Sequence, residues 1–341
     1  MERYTSVEEY ALQRSKRTSF WKRYGAAAFF LLPYLFFFLL FTVYPLIYGV
    51  VMSFMKFNIA DASQNQWRGF QNYYNILFNP SNNYFKEFWW SMRNTVLFSL
   101  VLVPAGIILP LIMAVVINFE PKGYKIFRAI IYLPSILPVT ASGVIFSALF
   151  SKNFGYINQW TGQLTDWLGM PNTAWFVIIL LCLWGGWGGN FIILSAGLKN
   201  VDRSLLEAAS VDGCGTMKKI ASITLPAIKP QLILCIFTTI IGYFGLYGQV
   251  YVLTSGGPSQ MVDGVNRQMT QTIMVYLQGL ITGTNYNVFG MVSAMGLTLG
   301  LFIGIVTALQ LALTKERPSR STHRLEYAQY IREKEAKEKG I

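Results

Sequence analysis

The sequence predicts an all-α membrane protein with six transmembrane helices and both termini in the cytoplasm. Three observations predict it. Of 341 residues, 53% are hydrophobic and only 13% are charged, against about 25% charged in an ordinary soluble domain. Six windows are apolar, free of charge and long enough for a hydrocarbon core that about 20 residues cross. Lysine and arginine fall mostly into alternate connections, as they do when one side of a membrane collects positive charge.

The six windows are Ala26–Phe54, Asn94–Phe119, Ala129–Phe150, Ala174–Leu198, Leu232–Leu253 and Val288–Leu313. None contains Asp, Glu, Lys or Arg. Prolines lie inside several of them (Pro33, Pro45, Pro104, Pro110, Pro134, Pro138). Neighbouring helices can satisfy the backbone groups these free. Residues 1–25 form a basic, polar arm, so the first window does not read as a cleaved signal peptide. Residues 26–314 form one transmembrane domain, with a connection at about 199–230, and 315–341 form a charged tail. The arm, the second and fourth connections and the tail hold 22 of the 28 Lys and Arg residues. These segments face the cytoplasm. Residues 55–93 then face outward, and their aromatics suit the headgroup region.

Several function classes are excluded. No G-x-x-x-x-G-K-[ST] stretch is present to hold nucleotide phosphates. The single histidine, His323, lies in the tail, so no histidine can act inside the membrane. Ion- and proton-coupled carriers usually need ionisable groups there, and the windows have none. Cys182, Cys214 and Cys235 show no metal spacing and imply no disulfide framework. The net charge of +12 follows from membrane orientation and calls for no nucleic acid. The energy for transport then comes from another protein. A secondary carrier or channel for a small uncharged solute, independent of any ATPase, is the alternative reading.

The fourth connection holds "EAASVDGCGTMKKIASITLP", Glu207 to Pro226. Ser204 and Glu207 have capping-box spacing. Gly213 stands where the helix should end. A second helical piece is expected over about 216–223, broken by Pro226. Two short helices around a glycine turn can be an interfacial connector or a plug for a groove on a partner.

The pattern E-A-A, three residues, G, nine residues, I-x-L-P resembles the signature loop of importer-type ABC transporter permeases. Glu207, Ala208, Ala209, Gly213, Ile223, Leu225 and Pro226 match it. "NYYNIL", "FWWSMRNT", "IYLPSILP", "GYINQW", "LSAGLKNVDRSLLEAA" and "YVLTSGGPS" follow the order found in maltose-type sugar permeases. Cys214 stands where the family often has alanine. The resemblance implies a type I importer permease fold in the inner membrane of a prokaryote. It implies that the loop docks on a cytoplasmic ATPase subunit. Glu207, Ala208, Ala209 and Gly213 would make the coupling helix, and Ile223, Leu225 and Pro226 would anchor it. The implied partners are a second EAA-loop permease in a heterodimer, two ATPase subunits, an extracytoplasmic solute-binding protein, membrane lipid, and a sugar or oligosaccharide. No cofactor is expected in this chain; ATP and Mg would sit on the ATPase.

The resemblance also implies a sugar path along the fourth and fifth windows. "LWGGWGGNF" supplies Gly186, Trp187, Gly189 and Asn190, and "TTIIGYFGLYGQ" supplies Thr239, Gly242, Tyr243, Leu246 and Tyr247. Four glycines so close together are expected to loosen the fourth helix and to let a ligand or another helix approach its backbone. Gly186 and Gly189 share a face by spacing, as do Thr239, Gly242, Tyr243 and Leu246. Related permeases often carry asparagines in the fifth window, where this chain is rich in Gly and Tyr. Glycines that pack helices and aromatics that fill a bundle give the same pattern.

Overall fold

The structure is a computed structural model that describes residues 24–25 and 29–314. The expected tail and nearly all of the arm lie outside those residues. Among the described residues, five helices are long and apolar enough to cross a membrane: Phe29–Ser53, Asn83–Asn118, Pro171–Lys199, Lys229–Thr254 and Phe289–Thr314. A bent pair, Tyr124–Ile136 and Val139–Leu149, makes the sixth. Outside the spans stand two short antiparallel ladders, Met55–Lys56 with Gln66–Trp67 and Ser259–Val262 with Val265–Gln268.

The third window is not one straight helix. Its halves meet at 99°. Pro134 tightens Leu133–Ile136 into a 3-10 turn, and Leu137 is extended with ψ of 134°. Pro138 enforces this, because its ring disfavours helical geometry in the residue before it. The fifth window is also broken: Lys229–Phe244 ends, and Gly248–Thr254 resumes after three residues. The second span begins at Asn83, well before the expected Asn94, because the amphipathic stretch before it continues the helix. Ile273–Thr282 is a further apolar helix of 10 residues, too short to cross.

The described residues fall into two compact units, one from within Met1–Lys86 and Gly279–Thr298, the other from within Glu87–Gln278 and Leu299–Ile341. In the first, Asn72 anchors the helix Gln71–Leu77 to the end of the first span by donating to Ser53 O at 2.8 Å and Met55 O at 2.9 Å. Phe54 gathers Trp67, Phe70 and Tyr73 with ring centroids 5.2–5.7 Å away. Gly290 passes so close to Met55 that a Cβ would collide with its carbonyl oxygen.

In the second unit, Phe98, Leu102, Val177, Ile178, Leu181, Leu246 and Val250 share a core. Phe98 stacks on Trp175 at 3.7 Å between centroids. The "FWWSMRNT" stretch grips the chain after the Ser259–Gln268 hairpin. Trp90 Nε1 donates to Gln268 O at 2.9 Å, and Asn94 Nδ2 to Met269 O and Gln271 O at 3.2 and 3.1 Å. Thr95 Oγ1 accepts from Ile273 N at 2.9 Å. Thr254 to Pro258 turn the chain into that hairpin, closed by Thr270 N donating to Gly256 O at 2.8 Å and by Met269 N donating to Pro258 O at 2.9 Å.

Asn94 is 2% exposed. Asn94→Leu strands two carbonyls, and a buried unpaired polar group costs about 1–3 kcal/mol. The purified variant is expected to unfold several degrees lower in a thermal melt in detergent. An unchanged midpoint would show that these bonds hold nothing.

Candidate functional site

The break in the fifth span opens a cavity of about 380 Å³. Where a helix stops inside a membrane, its freed peptide groups need partners within the protein. Here the Thr272 hydroxyl donates to Leu246 O at 2.8 Å. Gly245 N still reaches Ile241 O at 3.2 Å. The second half of the third span, Val139–Leu149, closes in beside the break. Gly248 lies against Val139, and at Gly143 a Cβ would collide with Val252.

The cavity is lined by Gly186, Gly189, Asn190, Thr239, Gly242, Tyr243, Leu246 and Tyr247, together with Thr238, Gln249, Val139, Gly245 and Gly248. The structure thus brings together all the expected path residues except Trp187. That side chain turns to the third span instead, where Nε1 donates to Ile131 O at 3.1 Å. Gln249 was already legible in the "TTIIGYFGLYGQ" stretch, whereas Thr238, Val139, Gly245 and Gly248 escaped the sequence reading. Thr238 adjoins a chosen threonine, whereas Val139 reaches the cavity only because Pro138 turns the chain there.

Asn190 joins three spans. Its Nδ2 donates to Gly106 O and to Thr239 Oγ1, both at 2.8 Å. The carbonyl partner fixes the amide's orientation. Both N–H groups are engaged, so Asn190 offers the cavity its carbonyl oxygen. Tyr243 is clasped by two glycines from other spans. A Cβ at Gly106 would sit 3.0 Å from its ring and a Cβ at Gly186 2.8 Å from its hydroxyl. The helix Pro171–Lys199 runs unbroken through the four glycines of "LWGGWGGNF", so these do not loosen it. Gly186 admits Tyr243, and Gly188 admits Ser135 and Tyr132. No Asp, Glu, Lys, Arg or His lines the cavity.

The EAA stretch forms a second feature. Its helix runs Arg203–Val211. The cap is Asp202, not Ser204: the Asp202 carboxylate accepts from Ser204 N at 2.9 Å. That backbone N–H holds the carboxyl below its usual range. Because the helix starts at Arg203, Glu207 lies a full turn in, too far along to close a capping box. It lines a groove with Lys199, Arg203 and Lys219. Gly213 ends the helix with φ of +75°. Gly213 N donates to Ser210 O at 3.1 Å and Cys214 N to Ala209 O at 2.9 Å, the bond pair of a Schellman motif. Ala208 is exposed and Ala209 buried. The chain stays helical from Thr216 past the expected break, because a π turn at Ile220–Thr224 carries it into Leu225–Ala227. Pro226 falls in the first turn of that last piece, where its missing N–H matters least. Ile223 and Leu225 pack with Leu198, Ile228 and Cys235. Val211 and Met217 are 89% and 81% exposed.

Broken apolar spans around an uncharged cavity, with a structured loop at one end, define a multi-pass transport permease. The chain belongs to the family described as binding-protein-dependent transport system inner membrane component, which matches residues 106–317. It is therefore an inner-membrane protein. It is similar to the arabinooligosaccharides transport system permease protein AraP of Bacillus subtilis, with 29% identity over 320 residues, 90% of this chain and 94% of that protein. It is 31% identical over 240 residues to the trehalose/maltose transport system permease protein MalF of Thermococcus litoralis, covering 69% of this chain and 79% of that one. In fold it matches a chain of a bacterial ABC transporter involved in the import of the acidic polysaccharide alginate. The TM-score is 0.73 at 21% identity, covering 88% of this chain and 98% of that chain.

Two predictions follow from this geometry. Gly186→Ala is expected to displace Tyr243 and to reduce transport several-fold, and adding Tyr243→Phe to recover part of it. Transport assays on the single and double variants would show no coupling if the two residues do not touch. At Gly213, where nothing lies within 4 Å of a built Cβ, only backbone strain of about 1–2 kcal/mol opposes alanine. Asparagine tolerates that conformation. Gly213→Ala should therefore weaken transport more than Gly213→Asn, and equal loss in both would point to contact with a partner instead.

Proposed function

We propose that this chain is one of two permeases of an ATP-driven importer that carries neutral sugars, with oligosaccharides favoured. The observation that carries the reading is the cavity of about 380 Å³ at the break in the fifth span. Its tyrosines, threonines, Gln249 and the Asn190 amide oxygen suit stacking and hydrogen bonding to an uncharged polyol, and the volume lies within the usual range for small-ligand sites. The relatives named for arabinooligosaccharides and for trehalose/maltose support the same class. An acidic polysaccharide would call for basic groups in the path, and the cavity lining contains none.

In this reading Glu207, Ala208, Ala209 and Gly213 form the coupling segment on the cytoplasmic face, with both termini on that side. The exposed Val211 and Met217 sit beside it, ready to enter a cleft on an ATPase. Ile223, Leu225 and Pro226 tie the loop to the spans, so closure of two ATPase subunits on ATP and Mg turns the spans and switches access. A second EAA-loop permease completes the path, and an extracytoplasmic binding protein delivers the sugar.

The test is uptake into vesicles holding the chain with its co-purifying subunits. Labelled arabino- and malto-oligosaccharides and alginate fragments would be offered with the matching binding protein, with and without ATP. ATP-dependent uptake of a neutral oligosaccharide, reduced by Tyr243→Ala, is the expected result. Uptake that persists without any ATPase would instead establish the self-sufficient carrier.

A further inference from the structure

Three adjoining cavities lie at the loop end of the spans, apart from the transport path. The largest, about 530 Å³, lies between the tip of the second span at Asn118 and Phe119 and the helix Arg203–Val211. Lys199, Arg203 and Lys219 line it. Lys219 Nζ donates to Ser210 Oγ at 2.9 Å, and Ser210 Oγ to Leu206 O at 2.7 Å. This ammonium is therefore fixed on the wall. A narrow extension of about 20 Å³ shares Lys199 and adds Arg128 and Ser195. Ser195 is 6% exposed, and its hydroxyl has no hydrogen-bond partner among the described residues. Buried hydroxyls are rarely left so. Glu120 and Glu207 are the carboxylates of the set, so cations outnumber them four to two.

The third cavity, about 130 Å³, supplies what a soluble anion would not need. It shares Phe119, Leu198, Leu206 and Lys219 with the first and adds Val115 and Ile220. Phe119 is 61% exposed. A basic chamber thus opens beside an apolar one where two membrane spans end, at the depth of the headgroups. A phosphodiester with an acyl chain attached fits both halves. Arg203 can take phosphate oxygens in bidentate fashion, and basic pockets between spans are known to hold anionic headgroups.

We propose that these cavities bind one anionic phospholipid, with its phosphate among Lys199, Arg203 and Lys219 and the start of an acyl chain along Val115 and Phe119. Lys219 and Arg203 belong to the coupling loop, and Lys199 and Phe119 to the ends of spans. The lipid therefore ties the loop to the spans, and the charge of that leaflet sets how firmly the loop is held. The inference is independent of which solute the permease carries.

The full-length chain would be placed in nanodiscs of phosphatidylcholine with a minor share of phosphatidylglycerol. Lipid retained after detergent washing would be counted by native mass spectrometry. One tightly held phosphatidylglycerol is expected, with affinity falling roughly fivefold for each cation removed in Arg203→Gln and Lys219→Gln. Lys152→Gln, at an exposed ion pair with Asp166 far along the chain, should change nothing. Arg203→Lys with Lys219→Arg should retain the lipid, which separates lost charge from lost folding. Equal retention by wild type and the Arg203→Gln/Lys219→Gln double variant would overturn the site, as would equal retention of phosphatidylcholine. Displacement by inorganic phosphate as effective as by phosphatidylglycerol would make it a soluble-anion site and refute the lipid.

Discussion

Hydrocarbon offers no hydrogen bonds, so each peptide group freed where a span bends must find its partner in the protein. This chain breaks two spans, and the rest of the second unit is arranged to repair those breaks. Thr272 reaches Leu246 O, and Trp187 reaches Ile131 O. Asn190 takes Gly106 O where the second, fourth and fifth spans meet. Each repair fixes the orientation of one element against another. The cavity is the space left between them, and no charged side chain lines it among the described residues.

Buried asparagines do much of this fastening. Asn72, Asn94 and Asn158 each direct one amide at two carbonyl oxygens, and Asn158 also accepts from Trp167 Nε1 at 2.7 Å. An Asn amide is suited to such clamping because it carries two donors on one rigid plane. These residues sit within the stretches "NYYNIL", "FWWSMRNT" and "GYINQW". The resemblance to sugar permeases is thus carried largely by residues that hold turns and segment ends in place.

The EAA loop and the cavity differ in kind. Among the described residues no Asp, Glu, Lys, Arg or His lines the cavity, whereas the loop end of the spans concentrates Lys and Arg around Glu120 and Glu207. A neutral path avoids the penalty of charge within the membrane. Charge near the headgroups is well solvated and serves orientation and docking. The helix ending at Gly213 stands between these regimes, with Leu205 and Val211 exposed, Leu206 packed inward, and Arg203 and Glu207 lining the groove.

Much of this was legible in residue pattern alone. Apolar windows of the right length determined the number of spans, because the membrane imposes its thickness on any sequence. Spacing determined the loop and its left-handed glycine, because cap geometry is local. The cluster from Gly186 to Tyr247 was legible as two helix faces. What only the tertiary structure decided was how those faces meet. Pro134 and Pro138 could have kinked a helix gently, and packing turned them into a 99° bend. Trp187 looked like a path residue until the Ile131 carbonyl, more than fifty positions away, claimed its N–H. Gly186 and Gly188 looked like weak points in a helix, yet each makes room for a side chain from another span. Local sequence carries conformation and burial, whereas the partner of a buried donor or the occupant of a glycine's space is set by distant segments that meet only on folding.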